Sequence, residues 1–151
     1  MSSEKRKIAY IDGKPYEIGA NHTSILKFVK SYVGEKKVPT LCDDPNLAPY
    51  GACRVCSVEV ALEKDGPTKM VASCHTPVAE NQHIFTSNEA ITNLRKNIVE
   101  LVLTDHPMEC DSCEVNNNCE LQTVANDLGI SDHRYNSPKQ HKGIPRDTSH
   151  D

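Results

Sequence analysis

Seven cysteines and one histidine fall into two groups whose spacing could do metal chemistry. The first is Cys42, Cys53, Cys56 and Cys74, spaced C-x10-C-x2-C with the fourth after 17 intervening residues. The second is His106, Cys110, Cys113 and Cys119, spaced H-x3-C-x2-C-x5-C. An odd cysteine count leaves one thiol over in any disulfide framework, and grouped cysteines in a reducing compartment more often bind metal or do redox work. Neither C-x2-C pair sits at the strand-to-helix junction that a thioredoxin-like thiol oxidoreductase requires.

The two groups imply different sites. In the first, three cysteines lie on or beside 38–56, VPTLCDDPNLAPYGACRVC, which carries three prolines and a glycine and is therefore a loop. Irregular backbone can aim several thiolates and N–H groups at one point, and those N–H groups can bond inorganic sulfide. Gly51 and Ala52 permit close backbone approach. Arg54 brings positive charge between two of the thiols, which favours a reduced core. Structural zinc usually shows two close ligand pairs, whereas only one pair is close here, so the spacing favours iron–sulfur over zinc. In the second group four donors fall within fourteen residues, which suits a tetrahedral zinc or the corners of a [4Fe–4S] cube. Spacing alone leaves both open there.

Around these residues the pattern predicts an α+β chain. KIAYIDGKPYEI alternates about Asp12-Gly13 and reads as a hairpin. Thr23 or Ser24 caps a helix carrying Ile25, Leu26, Phe28, Val29 and Val33 at helical spacing, stopped by Gly34. SVEVAL and TKMVASC form a second hairpin across residues 64–67, with Cys74 ending the returning strand. HIFTS, 83–87, is a fifth strand. Residues 87–106 form an amphipathic helix capped by Ser87, with His106 at its end, and 119–130 a shorter one ended by Gly129. The expected domains are 1–86, 87–131 and a polar tail or linker at 132–151. The loop holding Cys110, Cys113 and Cys119 has no glycine and little apolar content, which implies a thinly covered second site.

The order β-β-α-loop-β and the cysteine loop resemble the β-grasp ferredoxin, whose plant-type spacing is C-x4-C-x2-C…C; this chain departs from it with ten residues in the first gap. That long gap, with SILKFVKSY, VPTLC, GACRVCSVEV and VASCHTPV, resembles the [2Fe–2S] domain opening the large iron–sulfur subunit of respiratory complex I. It also resembles NAD-linked hydrogenases, iron-only hydrogenases and NAD-linked formate dehydrogenases. HPMECDSC…NNNCELQ looks like the one-histidine, three-cysteine [4Fe–4S] segment that follows in those families. The resemblance covers roughly 7–135. It implies a β-grasp ferredoxin-like domain followed by a small helical cluster-binding domain. It implies a [2Fe–2S] cluster on Cys42, Cys53, Cys56 and Cys74, and a [4Fe–4S] cluster on His106, Cys110, Cys113 and Cys119.

Four-ligand clusters leave no open position for substrate, and no G-x-G-x-x-G, P-loop or catalytic triad is present. The chain alone is therefore not expected to complete a substrate reaction. The resemblance implies an electron-transfer subunit or module, with a flavin subunit handling NAD(H) on one side and a catalytic oxidoreductase subunit on the other. In those families further C-x2-C-x2-C-x3-C motifs follow. This sequence stops at IPRDTSHD, which fits a fragment or a small separate subunit. A non-redox, zinc-stapled scaffold or interaction module is the alternative. Net charge of −4 argues against a general affinity for nucleic acid, and no apolar run approaches a membrane span. MSSEKRKIAYIDG has no apolar leader segment, so a cytoplasmic location is expected. Glu109, Asp111 and Glu114 read as a solvated acidic face. His75 reads as a hairpin-end residue, and His22, His83, His133, His141 and His150 fit no ligand spacing.

Neutral imidazole brings one less negative charge than thiolate, so a histidine ligand raises a cluster potential. Replacing His106 with cysteine is expected to lower the midpoint of the second cluster in a redox titration. An unchanged or higher midpoint refutes the charge argument.

Overall fold

The computed structural model describes residues 6–132, 134 and 135. Its first 95 residues form one compact unit and the chain from Lys96 a second. The division falls inside a helix, after Arg95.

The first unit holds a five-stranded mixed sheet in the order β2-β1-β5-β3-β4. β1 (Ile8–Ile11) and β2 (Lys14–Glu17) are antiparallel, with Ile11 opposite Lys14. Their two-residue turn puts both Asp12 (φ 47°) and Gly13 (φ 83°) at positive φ, the conformation that matches strand twist in tight hairpins. Asp12 tolerates that region and uses its side chain there. Its carboxylate accepts from the Thr86 amide at 2.8 Å and the Thr86 hydroxyl at 2.6 Å, tying the turn to the end of β5 (His83–Phe85). β1 and β5 pair in parallel, Tyr10 beside His83, and those two rings stack 4.3 Å apart. β3 (Ser57–Ala61) and β4 (Lys69–Ala72) form the second antiparallel hairpin, and β3 also pairs with β5.

α1 (Ile25–Val33) buries Ile25, Leu26, Phe28 and Val29. These join Ala9, Ile11, Val58 and Ile84 from the strands in one core, which also takes in Cys56 and Cys74. Ser24 is the N-cap and accepts from the Lys27 amide at 3.3 Å; Gly34, at φ 102°, closes the other end. β4 is shorter than the alternation suggested. It stops at Ala72, because the carbonyl of Ser73 accepts from the Leu26 amide and that of Thr76 from the Ile25 amide. Two orphan donors at the start of α1 thus take carbonyls that a longer strand would have used. Cys74 therefore lies in the turn after the strand and not at its end.

α2 (Glu89–Thr104) starts one residue later than Ser87 capping would place it. Asn88 caps it instead: its Oδ1 accepts from the Ile91 amide at 2.8 Å, and its Nδ2 donates to Glu59. In the second unit Glu100 accepts from Arg134 Nε at 2.6 Å. A single 3₁₀ turn at Cys110–Ser112 leads towards α3 (Glu120–Asp127). Gly129, at φ 67°, ends α3: its amide bonds to Asn126 O and that of Ile130 to Ala125 O, the paired bonds of a Schellman cap. The polar stretch 132–151 lies outside the described residues apart from Asp132, Arg134 and Tyr135. Among the described residues no helix is long and apolar enough to cross a membrane.

Asn88→Ala is expected to cost about 1 kcal/mol of unfolding free energy in a urea titration, and Ser87→Ala close to nothing. Equal losses would show that the cap is wrongly assigned.

Candidate metal centres

The first centre is held between two well-packed edges. Cys56 immediately precedes β3, and Cys74 follows β4. Ser73 binds them together: its hydroxyl donates to the Cys56 carbonyl at 2.7 Å and its amide to the same oxygen at 3.3 Å. Both cysteines are buried. The other two sit on the loop, and local bonds shape it. Asp44 accepts from the Asn46 amide at 2.7 Å, Lys30 of α1 pairs with Asp43 at 3.4 Å, and His75 meets the Pro49 carbonyl at 3.3 Å. Arg54 adopts φ 63°, and its carbonyl accepts both the amide and the hydroxyl of Ser57.

The sulfurs meet in pairs. Cys42 and Cys53 lie close enough to shift each other's ionisation, and Cys74 responds to both Cys56 and Cys42. Backbone amides point at the same atoms. At Cys42 the amide of Cys53 favours the thiolate, yet burial and the neighbouring Cys53 sulfur leave its pKa above the ordinary value. Burial opposes ionisation of Cys53, but the amides of Val55, Leu41 and Cys42 and the Cys42 thiol outweigh it and lower its pKa. Cys74 is pushed up to about 12 by burial and by the Cys56 sulfur, against the amide of Gly51. Among the described residues no group of three or more His, Cys, Asp or Glu is placed to hold a metal ion. Two facing thiol pairs, ringed by N–H donors, fit a core of two irons with bridging sulfides.

Sequence reasoning missed Arg95. It is 5 % exposed, and its guanidinium donates to Val55 O at 3.1 Å and Ser57 O at 2.8 Å. Burial lowers its pKa to about 10, against the pull of Cys56, so it stays charged at neutral pH. An arginine on an amphipathic helix reads as a solvated face, and nothing in the spacing marks this one as buried.

The second centre is a cavity of about 340 Å³, and His106, Cys110, Cys113 and Cys119 all line it. Its volume is an order of magnitude above the roughly 30 Å³ of one water in the liquid, room for a polynuclear core. The lining also includes Leu103, Met108, Val115, Leu121, Ala125 and Ile130. The expectation of little apolar cover was therefore wrong. The cover comes mainly from the flanking helices and from Ile130, beyond the Gly129 stop, which a reading confined to the loop overlooks. Cys119 occupies the N-cap position of α3 without spending its side chain on a capping bond. Its sulfur is left for other use. Gln122 braces the intervening loop, accepting from the Asn117 amide and donating to Asn116 Oδ1, both at 2.8 Å. A Gln three residues after a helix start was a visible signal for that brace. Glu109, Asp111 and Glu114 are exposed.

The remaining histidines have local roles. His22 accepts from the Gly19 amide and bonds Ser31, and His83 stacks on Tyr10. His133, His141 and His150 lie outside the described residues.

The matches to known proteins fall on the same two regions. Residues 7–89 match the family described as 2Fe-2S iron-sulfur cluster binding domain, and residues 95–134 the NADH-ubiquinone oxidoreductase-G iron-sulfur binding region. The chain is 34% identical over 137 residues to NADPH-Fe(3+) oxidoreductase subunit alpha of Geobacter sulfurreducens, covering 91% of this chain and 15% of that one. It is 37% identical over 131 residues to NADP-reducing hydrogenase subunit HndD of Solidesulfovibrio fructosivorans, covering 83% and 21%. With a subunit of the NADH-quinone oxidoreductase of Escherichia coli K12 the figures are 34% over 133 residues, 87% and 14%. The chain thus spans about a fifth or less of these relatives. A crystal structure of NAD+-reducing [NiFe]-hydrogenase in the H2-reduced state shares the fold, with a TM-score of 0.71 at 24% identity, over 86% of this chain and 52% of that one. The two matched regions give the chain one [2Fe–2S] and one [4Fe–4S] cluster.

Gly51 sits at φ 72°, and a Cβ there would lie 3.3 Å from Ala72 Cβ and 3.5 Å from His75 Cβ. Gly51→Val is expected to cost about 1–3 kcal/mol of stability and to reduce iron bound per chain while sparing the second centre. Full iron content and wild-type urea stability would contradict this.

Proposed function

Because the chain belongs to the 2Fe-2S iron-sulfur cluster binding domain family, we propose that Cys42, Cys53, Cys56 and Cys74 ligate its [2Fe–2S] cluster and His106, Cys110, Cys113 and Cys119 its [4Fe–4S] cluster. The chain is an electron relay. It passes single electrons between an NAD(H)-linked flavin subunit and the catalytic centre of a multi-subunit oxidoreductase in the cytoplasm. Residues 1–86 are the [2Fe–2S] domain, 87–131 the one-histidine, three-cysteine domain, and 132–151 a linker or tail.

The observation that carries this reading is the sorting of eight donors into two facing thiol pairs and one four-donor cavity. When bound, each cluster accepts and returns one electron without touching a metabolite. The protein's part is to hold the sulfurs, supply amide donors and limit water. Cys56 and Cys74 do this from the hydrophobic core, where a reduced core's charge is felt strongly. These residues offer no nucleotide fingerprint, so on this reading donor and acceptor chemistry lies outside residues 1–151. Relatives named as subunits of NADH-quinone oxidoreductase and of an NADP-reducing hydrogenase support partners of that kind.

Anaerobically prepared protein is expected to be brown, to contain roughly six irons with matching acid-labile sulfide, and to bleach with dithionite. The reduced protein is expected to give one EPR signal that persists on warming and one that broadens away, and Cys56→Ser to remove only the first. Zinc without iron would overturn the assignment.

A further inference from the structure

We propose that Arg95 is a positioning and tuning residue for the [2Fe–2S] cluster: it clamps the backbone on both sides of Cys56 and holds a fixed positive charge against that stretch of chain. The inference rests on the ligand assignment proposed above.

Three consecutive carbonyls carry the argument. Val55 O and Ser57 O accept from Nε and Nη2 of Arg95, at 3.1 and 2.8 Å, and Cys56 O accepts from Ser73. The peptide units around Cys56 are therefore fixed from two directions. A guanidinium is suited to this, because its rigid fork can reach two acceptors that a lysine ammonium would satisfy poorly. The side chain is buried, yet among the described residues no ion pair includes it. Burying a charge without a carboxylate is costly, and carbonyl dipoles offset only part of the cost. A neutral donor could hold the same two carbonyls without that penalty. The charge itself gains a partner when Cys56 is a thiolate on a metal core, and gains most when that core is reduced. Arg95 therefore favours the reduced state and raises the midpoint.

The test uses the full chain with clusters loaded, comparing wild type, Arg95→Lys and Arg95→Gln. The lysine keeps the charge and loses the fork; the glutamine keeps amide donors and loses the charge. In an EPR-monitored titration, Arg95→Gln is expected to reduce about tenfold less readily, a midpoint about 59 mV lower. Arg95→Lys is expected to stay near the wild-type midpoint, with lower thermal stability. A glutamine variant that folds, binds iron and keeps the wild-type midpoint overturns the proposal while leaving the ligand assignment intact. Loss of folding in both variants also overturns it, since Arg95 would then belong to the fold and not to the cluster. A wild-type chain lacking the [2Fe–2S] signal overturns the ligand assignment first and the proposal with it.

Discussion

The bond pair from Ser73 to the Cys56 carbonyl is the constraint on which the first centre depends. It joins the two ends of the β3–β4 hairpin at the point where two of the sulfurs must meet. Everything nearby is arranged around that junction. The carbonyls of Ser73 and Thr76 receive the first amides of α1, so the turn carrying Cys74 also seats the helix. The hydrophobic core that buries α1 is the same core that buries Cys56 and Cys74. Cluster ligation and domain packing are thus one structure. A buried sulfur is a small hydrophobe when protonated, and becomes an expensive charge unless a metal or a donor receives it.

The second centre solves the same problem with less sheet and more helix. Its donors line a cavity whose apolar cover comes largely from Leu103 near the C-terminal end of α2, from Leu121 and Ala125 of α3, and from Ile130. The loop between the cysteines is short and polar, and hydrogen bonds keep its shape: Gln122 reaches back to Asn116 and Asn117, and successive turn bonds run through Cys110, Cys113 and Val115. The two centres therefore differ in what protects them. One is enclosed by core packing, the other by a braced loop under a partial apolar roof. Cys113 is exposed, whereas Cys56 and Cys74 are buried.

Much of this was legible in the residues. Cysteine spacing, the Asp12-Gly13 turn, the α1 stripe with Gly34, and Gly129 at the end of α3 all declare themselves locally, because each depends on residues within a few positions. Strand order could not be read that way. The parallel pairing of β1 with β5 and the Asp12–Thr86 bonds join positions over seventy residues apart. The cap of α2 was misjudged because Ser87 and Asn88 are both good caps, and a cross-strand neighbour, Glu59, sides with Asn88. Arg95 was hidden for a related reason. Charge on a helix normally faces water, and only the three-dimensional placement of the Val55 and Ser57 carbonyls gives it a reason to turn inward.

β1 sits between β2 and β5 in the sheet, yet its parallel neighbour comes from the far end of the domain. Contacts of such long range are slow to form, since the intervening chain must be closed into a loop first. All four thiols of the first centre lie inside that loop. The sheet cannot be completed until residues 83–85 arrive, so all four of those thiols have already been synthesised before the domain can shut. Metal loading and folding are accordingly free to overlap in time during biogenesis, with the last strand acting as the latch.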